Sequence, residues 1–306
     1  MSISELYLVD YPLTFYGSPS RRDAKFNIIG VPFDSTSSYR SGQRFAPRAL
    51  REASLNIEGN GYAVGGSIDD VSISDLGDVA VIHGDVSSTL ERVAIVVKEV
   101  ASRGSIPVLV GGEHTITLGA LRGLLRAGVR PCLLVLDAHF DLRSEYLGFR
   151  FSHATVMRRV TEEVGVKIFY VGVRAYDNEE VAIAEGMAGI GYITAWNFDV
   201  LGVKGVVAKA RSFLGECDSI YISIDMDVYD PAYAPGVANP EPGGLPPGKV
   251  LPLIAHLAAD ERVVGLDLVE VAPPHDCGDI TSILAAKTLQ QALIAASSRV
   301  AGGGGF

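Results

Sequence analysis

Seven short, nearly uninterrupted apolar runs constrain this chain most, at residues 27–31, 106–110, 132–136, 168–171, 190–193, 219–224 and 263–268. Continuous hydrophobicity is what a strand shows when both faces of its sheet are covered. Between the runs, segments 86–103, 117–127, 178–185, 250–259 and 280–298 carry the apolar spacing and charged faces of amphipathic helices. The alternation predicts repeated β-α units, an α/β fold doubly wound around a mostly parallel sheet. With no linker-like stretch and no internal repeat, one domain over residues 1–306 is expected, ending in a low-complexity tail, Gly302 to Gly305.

The formal net charge is −10, which argues against a nucleic-acid or anionic-membrane partner and favours a cationic ligand. Cys132, Cys217 and Cys277 are far apart in sequence and show no C-x-x-C spacing. They are not expected to build a disulfide framework, and a reducing cytoplasm fits them best. The first ten residues include Glu5 and Asp10 and lack a signal-peptide pattern, and no apolar stretch reaches membrane-spanning length, so a cytoplasmic location is expected.

In open parallel sheets the chemistry gathers at the carboxyl ends of the strands. Three such ends are rich in ligand-type side chains: Gly111-Gly112-Glu113-His114, Asp137-Ala138-His139-Phe140-Asp141, and Asp225-Met226-Asp227. Taken singly, each is equally readable as an ordinary polar strand end. If extended, Asp137, His139 and Asp141 point to one face. Asp225 and Asp227 stand two residues apart and repel unless a cation lies between them. Four aspartates and two histidines, with no thiolate, suit a manganese-like divalent pair better than structural zinc. A carboxylate-bridged pair at about 3.5–4 Å is the arrangement that generates a hydroxide nucleophile.

These three segments, with Val31-Pro32-Phe33-Asp34, Arg40, Gly42, Arg44, Pro47 and Arg48 near the N-terminus and Asn239-Pro240-Glu241-Pro242-Gly243-Gly244 later on, resemble the signatures of the arginase/agmatinase (ureohydrolase) family over nearly the whole chain. The resemblance implies a three-layer α/β/α sandwich and two Mn2+ per subunit. His114, Asp137, Asp141 and Asp225 would hold one ion, and Asp137, His139, Asp225 and Asp227 the other. Asp137 and Asp225 would bridge, and a metal-bridging hydroxide would attack a guanidinium carbon to release urea. It also implies a homo-oligomer, trimer or hexamer.

Two further positions match the family. Glu270, at another strand end, matches the glutamate that pairs with guanidinium nitrogens, a role suited to a carboxylate accepting two parallel N–H bonds. His153 matches the histidine that shuttles protons to the leaving amine. Ala154 follows it where the family often has glycine, which puts the loop conformation in question. His83, His256 and His275 have no local ligand partner and receive no role. Gly243 to Lys249 imitates a phosphate loop, but its two prolines lack N–H groups and no Ser/Thr follows the lysine.

Substrate choice falls to the loop between Asp141 and His153. It lacks the Asn and Ser set that arginases typically offer to an α-carboxylate and α-amine, so agmatine, giving putrescine and urea, is the expected substrate. Glu145 and Tyr146 would receive its ammonium. Equally, Glu145 pairs with Arg143 or Arg150 and is structural. Aminopropylagmatine is a close variant, whereas guanidinobutyrate would need Arg143 or Arg150 for its carboxylate and arginine is disfavoured. A single-zinc deacetylase-like hydrolase and a non-catalytic ligand sensor are the alternatives from other classes. Retention of all six ligands opposes both.

Overall fold

The computed structural model describes residues 3–9, 12–20 and 23–298. The glycine tail lies outside them. Strands β1 (Leu8–Val9), β2 (Phe26–Gly30), β3 (Ile73–Val79), β4 (Ile106–Val110), β5 (Cys132–Leu136), β6 (Ile168–Val173), β7 (Ile190–Thr194), β8 (Ile220–Asp225) and β9 (Val263–Val269) form one sheet. Its order is β1-β3-β2-β4-β9-β8-β5-β6-β7, and only the edge pairing of β1 with β3 is antiparallel. The helices are α1 (Ala46–Ser54), α2 (Val86–Ser102), α3 (Ile116–Arg126), α4 (Val156–Glu163), α5 (Asn178–Gly186), α6 (Ala195–Phe213), α7 (Pro247–Ala258) and α8 (Ile280–Ser297).

Alternate strand residues feed two separate apolar cores. Ile28, Val108, Leu134, Ile222 and Leu266 point to one, shared with α1, α6, α7 and α8. Ile29, Leu109, Leu133, Val135 and Tyr221 point to the other, shared with α2, α3, α4 and α5. The expected three-layer α/β/α sandwich is therefore present, and double coverage is why the strands read as unbroken apolar runs.

All seven expected strands are present to within two residues. β1 and β3 are additional; β1 is only two residues long, and the sequence of β3 hides it: Asp75 and Asp78 interrupt the apolar pattern yet are turned inward. Arg51, itself buried on α1, takes Asp75 in a fork at 2.8 and 2.9 Å and Asp78 at 2.6 Å. Removing one member would strand the others without water, which makes the set far more costly to break than a surface ion pair. α1, α4 and α6 are also additional. α1 and α4 are short, and α6 bends at Gly202 while exposing Trp196 and Val200, so its apolar periodicity is broken.

The expectation for the cysteines is corrected. β5 and β8 are neighbours with Cys132 opposite Ile220, and this brings Cys132 and Cys217 together as a disulfide although 85 residues separate them. Cys277 is free and exposed. The thiol-based argument for a reducing compartment accordingly lapses. Among the described residues, no helix is long and apolar enough to cross a membrane. The bridge staples the amino ends of β5 and β8. Closing a loop of 85 residues removes unfolded-state entropy worth about 4.5 kcal/mol. Reduction, or Cys217→Ala, should lower the thermal midpoint by roughly 7 °C, read by calorimetry with and without reductant.

Candidate metal centre

Strand register sets the site. Val110 pairs with Leu268, Leu136 with Ile224, and Asp225 with Val269, so the carboxyl ends of β4, β9, β8 and β5 finish at one level. The next residues of each strand deliver the acids and histidines to a common floor. Gly111 and Gly112, with φ of 78° and 82°, make the turn to His114. A Cβ on Gly112 would lie 2.4 Å from the Val31 carbonyl oxygen, so no other residue fits there.

His114 Nδ1 stands 3.1 Å from Asp137, 3.0 Å from Asp141 and 3.4 Å from Asp225. His139 Nδ1 stands 2.9 Å from Asp227 and 3.6 Å from Asp137. Two ligand groups result, His114 with Asp137 and Asp225, and Asp137 with His139 and Asp227, the donor atoms of each lying within 4.8 Å of one another. Asp137 belongs to both. The backbone laces the set together, His139 N–H donating to Asp137, Asp227 N–H to Asp225 and Ala138 N–H to Asp227. Asp141 holds a φ of 54° and Glu270 one of 67°, a left-handed conformation that non-glycine residues adopt only where the surroundings impose it.

The tautomer of His114 follows from its far side. Thr117, Tyr221 and Ser223 all donate to the buried Asp267, and the Ser223 hydroxyl, its proton thus committed, accepts from His114 Nε2 at 2.9 Å. The Nδ1 lone pair is thereby aimed at carboxylates. His114 Nδ1 and Asp137 Oδ2 are too skewed for a hydrogen bond and have no partner although both are buried. A divalent cation is what such a cluster of oxygen and imidazole donors fits.

Without a cation, protons must substitute. Burial alone would lower His114, but Asp137, Asp141 and Asp225 raise it well above the usual imidazole range. Burial, then the Asp137 charge, pushes Asp141 up to about 7. Burial, opposed by Gln43 and reinforced by the Glu113 charge, pushes Glu270 to about 8.

His153 lies beside the cluster in a short 3-10 turn (His153–Thr155), Nε2 3.1 Å from Ser38 Oγ. Burial, then the His139 charge, holds it down near 4, so it is neutral. Ala154 lines the cleft, and its carbonyl accepts from Arg143 N–H. Glu270 accepts from Gln43 Nε2 at 2.9 Å and His114 N–H at 2.7 Å, one bond per oxygen.

A cleft of about 440 Å³ opens above the cluster, lined by Ser38, His139, Asp141, Arg143, Tyr146, His153, Arg174, Tyr176, Glu180, Asn239 and Glu241. Glu145 is exposed and outside this lining, and Arg143 and Arg150 pair elsewhere. Besides Asp141, the acids that line the cleft are Glu180 and Glu241. Asp267, Ser223, Gln43 and Thr36 support the site without having been singled out as candidates, though an aspartate inside the apolar run of β9 was a legible signal.

Residues 24–295 match the model of the arginase family. The chain belongs to the arginase family. It is 38% identical to an agmatinase of Pyrococcus horikoshii, over 88% of this chain and 90% of that one. It is 37% identical to the N(1)-aminopropylagmatine ureohydrolase of Thermococcus kodakarensis, over 87% and 88%. The crystal structure of an agmatine ureohydrolase of Thermoplasma volcanium superimposes with a TM-score of 0.84 at 36% identity, covering 94% of this chain and 95% of that chain. Membership carries the family's reaction class, hydrolysis of a guanidino C–N bond, and its dependence on a binuclear metal centre.

The raised carboxyl groups give a signed prediction. A carboxyl raised on folding loses stability between its unfolded and folded values, so Asp141 at about 7 and Glu270 at about 8 make the metal-free protein less stable as pH rises from about 4 to about 8. A divalent cation held by Asp141 displaces its proton, so the gain in thermal midpoint on adding manganese should widen between about pH 5 and about pH 7. A gain that is flat with pH would contradict the assignment.

Proposed function

We propose that this chain hydrolyses the guanidinium group of agmatine, or of an agmatine extended by an aminopropyl arm, to urea and the free amine. The observation that carries the choice is the state of the two arginines in the cleft. Arg143 is taken by Asp177 at 2.5 Å and Glu180 at 3.5 Å. Arg174 spends its guanidinium on backbone carbonyls, among them Asp227 at 2.6 Å and Glu241 at 2.8 Å. Neither cation is left to receive the carboxylate of arginine or guanidinobutyrate, while Glu241 and the ring of Tyr176 suit an ammonium.

His114, Asp137, Asp141 and Asp225 would hold one Mn2+, and Asp137, His139, Asp225 and Asp227 the second. When bound, the pair would supply the positive charge that acidifies a water at the site. Glu270 keeps one lone pair free on each oxygen after its bonds to Gln43 and His114, enough for two guanidinium N–H groups, whose charge draws it back to the carboxylate form. His153, neutral and at the cleft wall, moves the proton from the attacking oxygen to the departing amine as the new C–O bond forms and the C–N bond breaks.

Urea release by manganese-loaded protein tests this. The kcat/KM for agmatine or aminopropylagmatine should exceed those for arginine and guanidinobutyrate by about 100-fold or more, and no urea from any of the four would refute it. Glu241→Gln should raise KM for agmatine roughly fivefold while Glu145→Ala leaves it unchanged. The reverse pattern would return the ammonium contact to Glu145.

A further inference from the structure

Behind His153, on the side away from the cleft, lies a group of side chains that the proposed chemistry does not use. Glu113 is completely buried, and three donors converge on it: Thr36 N–H at 2.7 Å on one oxygen, and the hydroxyls of Thr36 at 2.5 Å and Thr115 at 2.6 Å on the other. The N–H can only donate, and in its carboxylate form Glu113 accepts from all three. The single proton of the Thr36 hydroxyl is then committed, and its oxygen can only accept in any other contact. Two such contacts come from His153, the backbone N–H at 3.2 Å and ring Nδ1 at 3.5 Å.

We propose that Glu113 and Thr36 form a positioning relay that fixes His153 as the Nδ1–H tautomer, so that its Nε2 lone pair faces the cleft. The reading rests on His153 acting as the proton carrier of the hydrolase. A committed acceptor at Nδ1 leaves the neutral ring only one place for its hydrogen. The other nitrogen agrees. Ser38 Oγ, in the cleft wall, lies 3.1 Å from Nε2 and has a hydrogen to offer its lone pair. The Tyr146 ring stands edge-on to the imidazole at 5.9 Å and limits its rotation. In turnover Nε2 takes the proton of the attacking oxygen, the imidazolium keeps Nδ1–H on Thr36, and Nε2 hands the same proton to the amine nitrogen as the C–N bond breaks. The opposite tautomer would present a hydrogen where a lone pair is needed.

Thr36 is the residue to change, because it is remote from the metal ligands in sequence and its backbone N–H on Glu113 survives substitution. Thr36→Val, close in shape but without the hydroxyl, should lower kcat about 10- to 100-fold with KM within about twofold, and Thr36→Ser should stay within about threefold of the native enzyme. Manganese content should be unchanged in both. In 15N spectra of histidine-labelled protein loaded with diamagnetic zinc, the His153 resonances, assigned by their loss in His153→Gln, should show Nε2 as the unprotonated ring nitrogen. A protonated Nε2 in the native protein, native kcat in Thr36→Val, or loss of manganese along with activity would each overturn the relay. The spectrum needs no substrate: a protein that releases no urea refutes the functional reading, while the tautomer is still decided.

Discussion

Everything at the carboxyl end of the sheet depends on a cluster of carboxylates held too close for mutual comfort. Asp137, Asp141, Asp225 and Asp227 are buried, and burial together with the neighbouring Asp227 and Asp137 charges drives Asp225 well above the ordinary carboxylate range. Such a set is stable only with compensating positive charge, from protons on the imidazoles or from metal ions. The strands impose it. β5 and β8 are paired in register to their last residues, so an aspartate immediately after one must sit beside the aspartate that ends the other. The like-charge repulsion is thus not an accident of side-chain placement but a product of the sheet. Local unfolding would relieve it, and the Cys132–Cys217 bridge at the opposite ends of the same two strands resists that relief.

The supports of this cluster follow a common rule: a carboxylate outside the cluster organises a residue in it or beside it. Asp267 orients His114 through Ser223. Asp34 accepts from Gly42 N–H and pairs with Arg44, which sets the turn carrying Gln43 to Glu270. Asp230 gathers Gly243 and Gly244 N–H groups and so shapes the loop bearing Glu241. The formal charge of −10 therefore describes several populations. One part of it is buried and spent on architecture, and only the remainder says anything about solvent or partners.

What was legible in the sequence follows the same division. Strands buried on both faces announce themselves, because nothing polar interrupts them, and so do the three ligand segments, where like charges recur at strand ends. β3 was not legible because Asp75 and Asp78 are neutralised by Arg51, more than twenty residues earlier, a pairing no local pattern reveals. The disulfide was hidden for the same reason: spacing along the chain says nothing about which strands lie side by side. Glu145 is near His153 in sequence, but its loop carries it outward, while Glu180 from α5 and Glu241 from a loop beyond β8 reach the cleft from far away.

Arg174 shows how the two halves of the site are made one object. It follows β6, and its guanidinium donates to the carbonyls of Asp227 and Tyr229 on one side and of Glu241 on the other. The turn that presents Asp227, a candidate metal ligand, and the loop that lines the cleft are therefore bonded to the same planar group, whose geometry tolerates little independent movement of either. Binding at the cleft wall and placement at the metal floor are mechanically coupled through that arginine. A lysine there would keep the charge but lose the fork, and with it the fixed distance between them. Catalysis by proximity requires that distance to hold, since a guanidinium seated an ångström away from the nucleophile has gained binding without gaining rate.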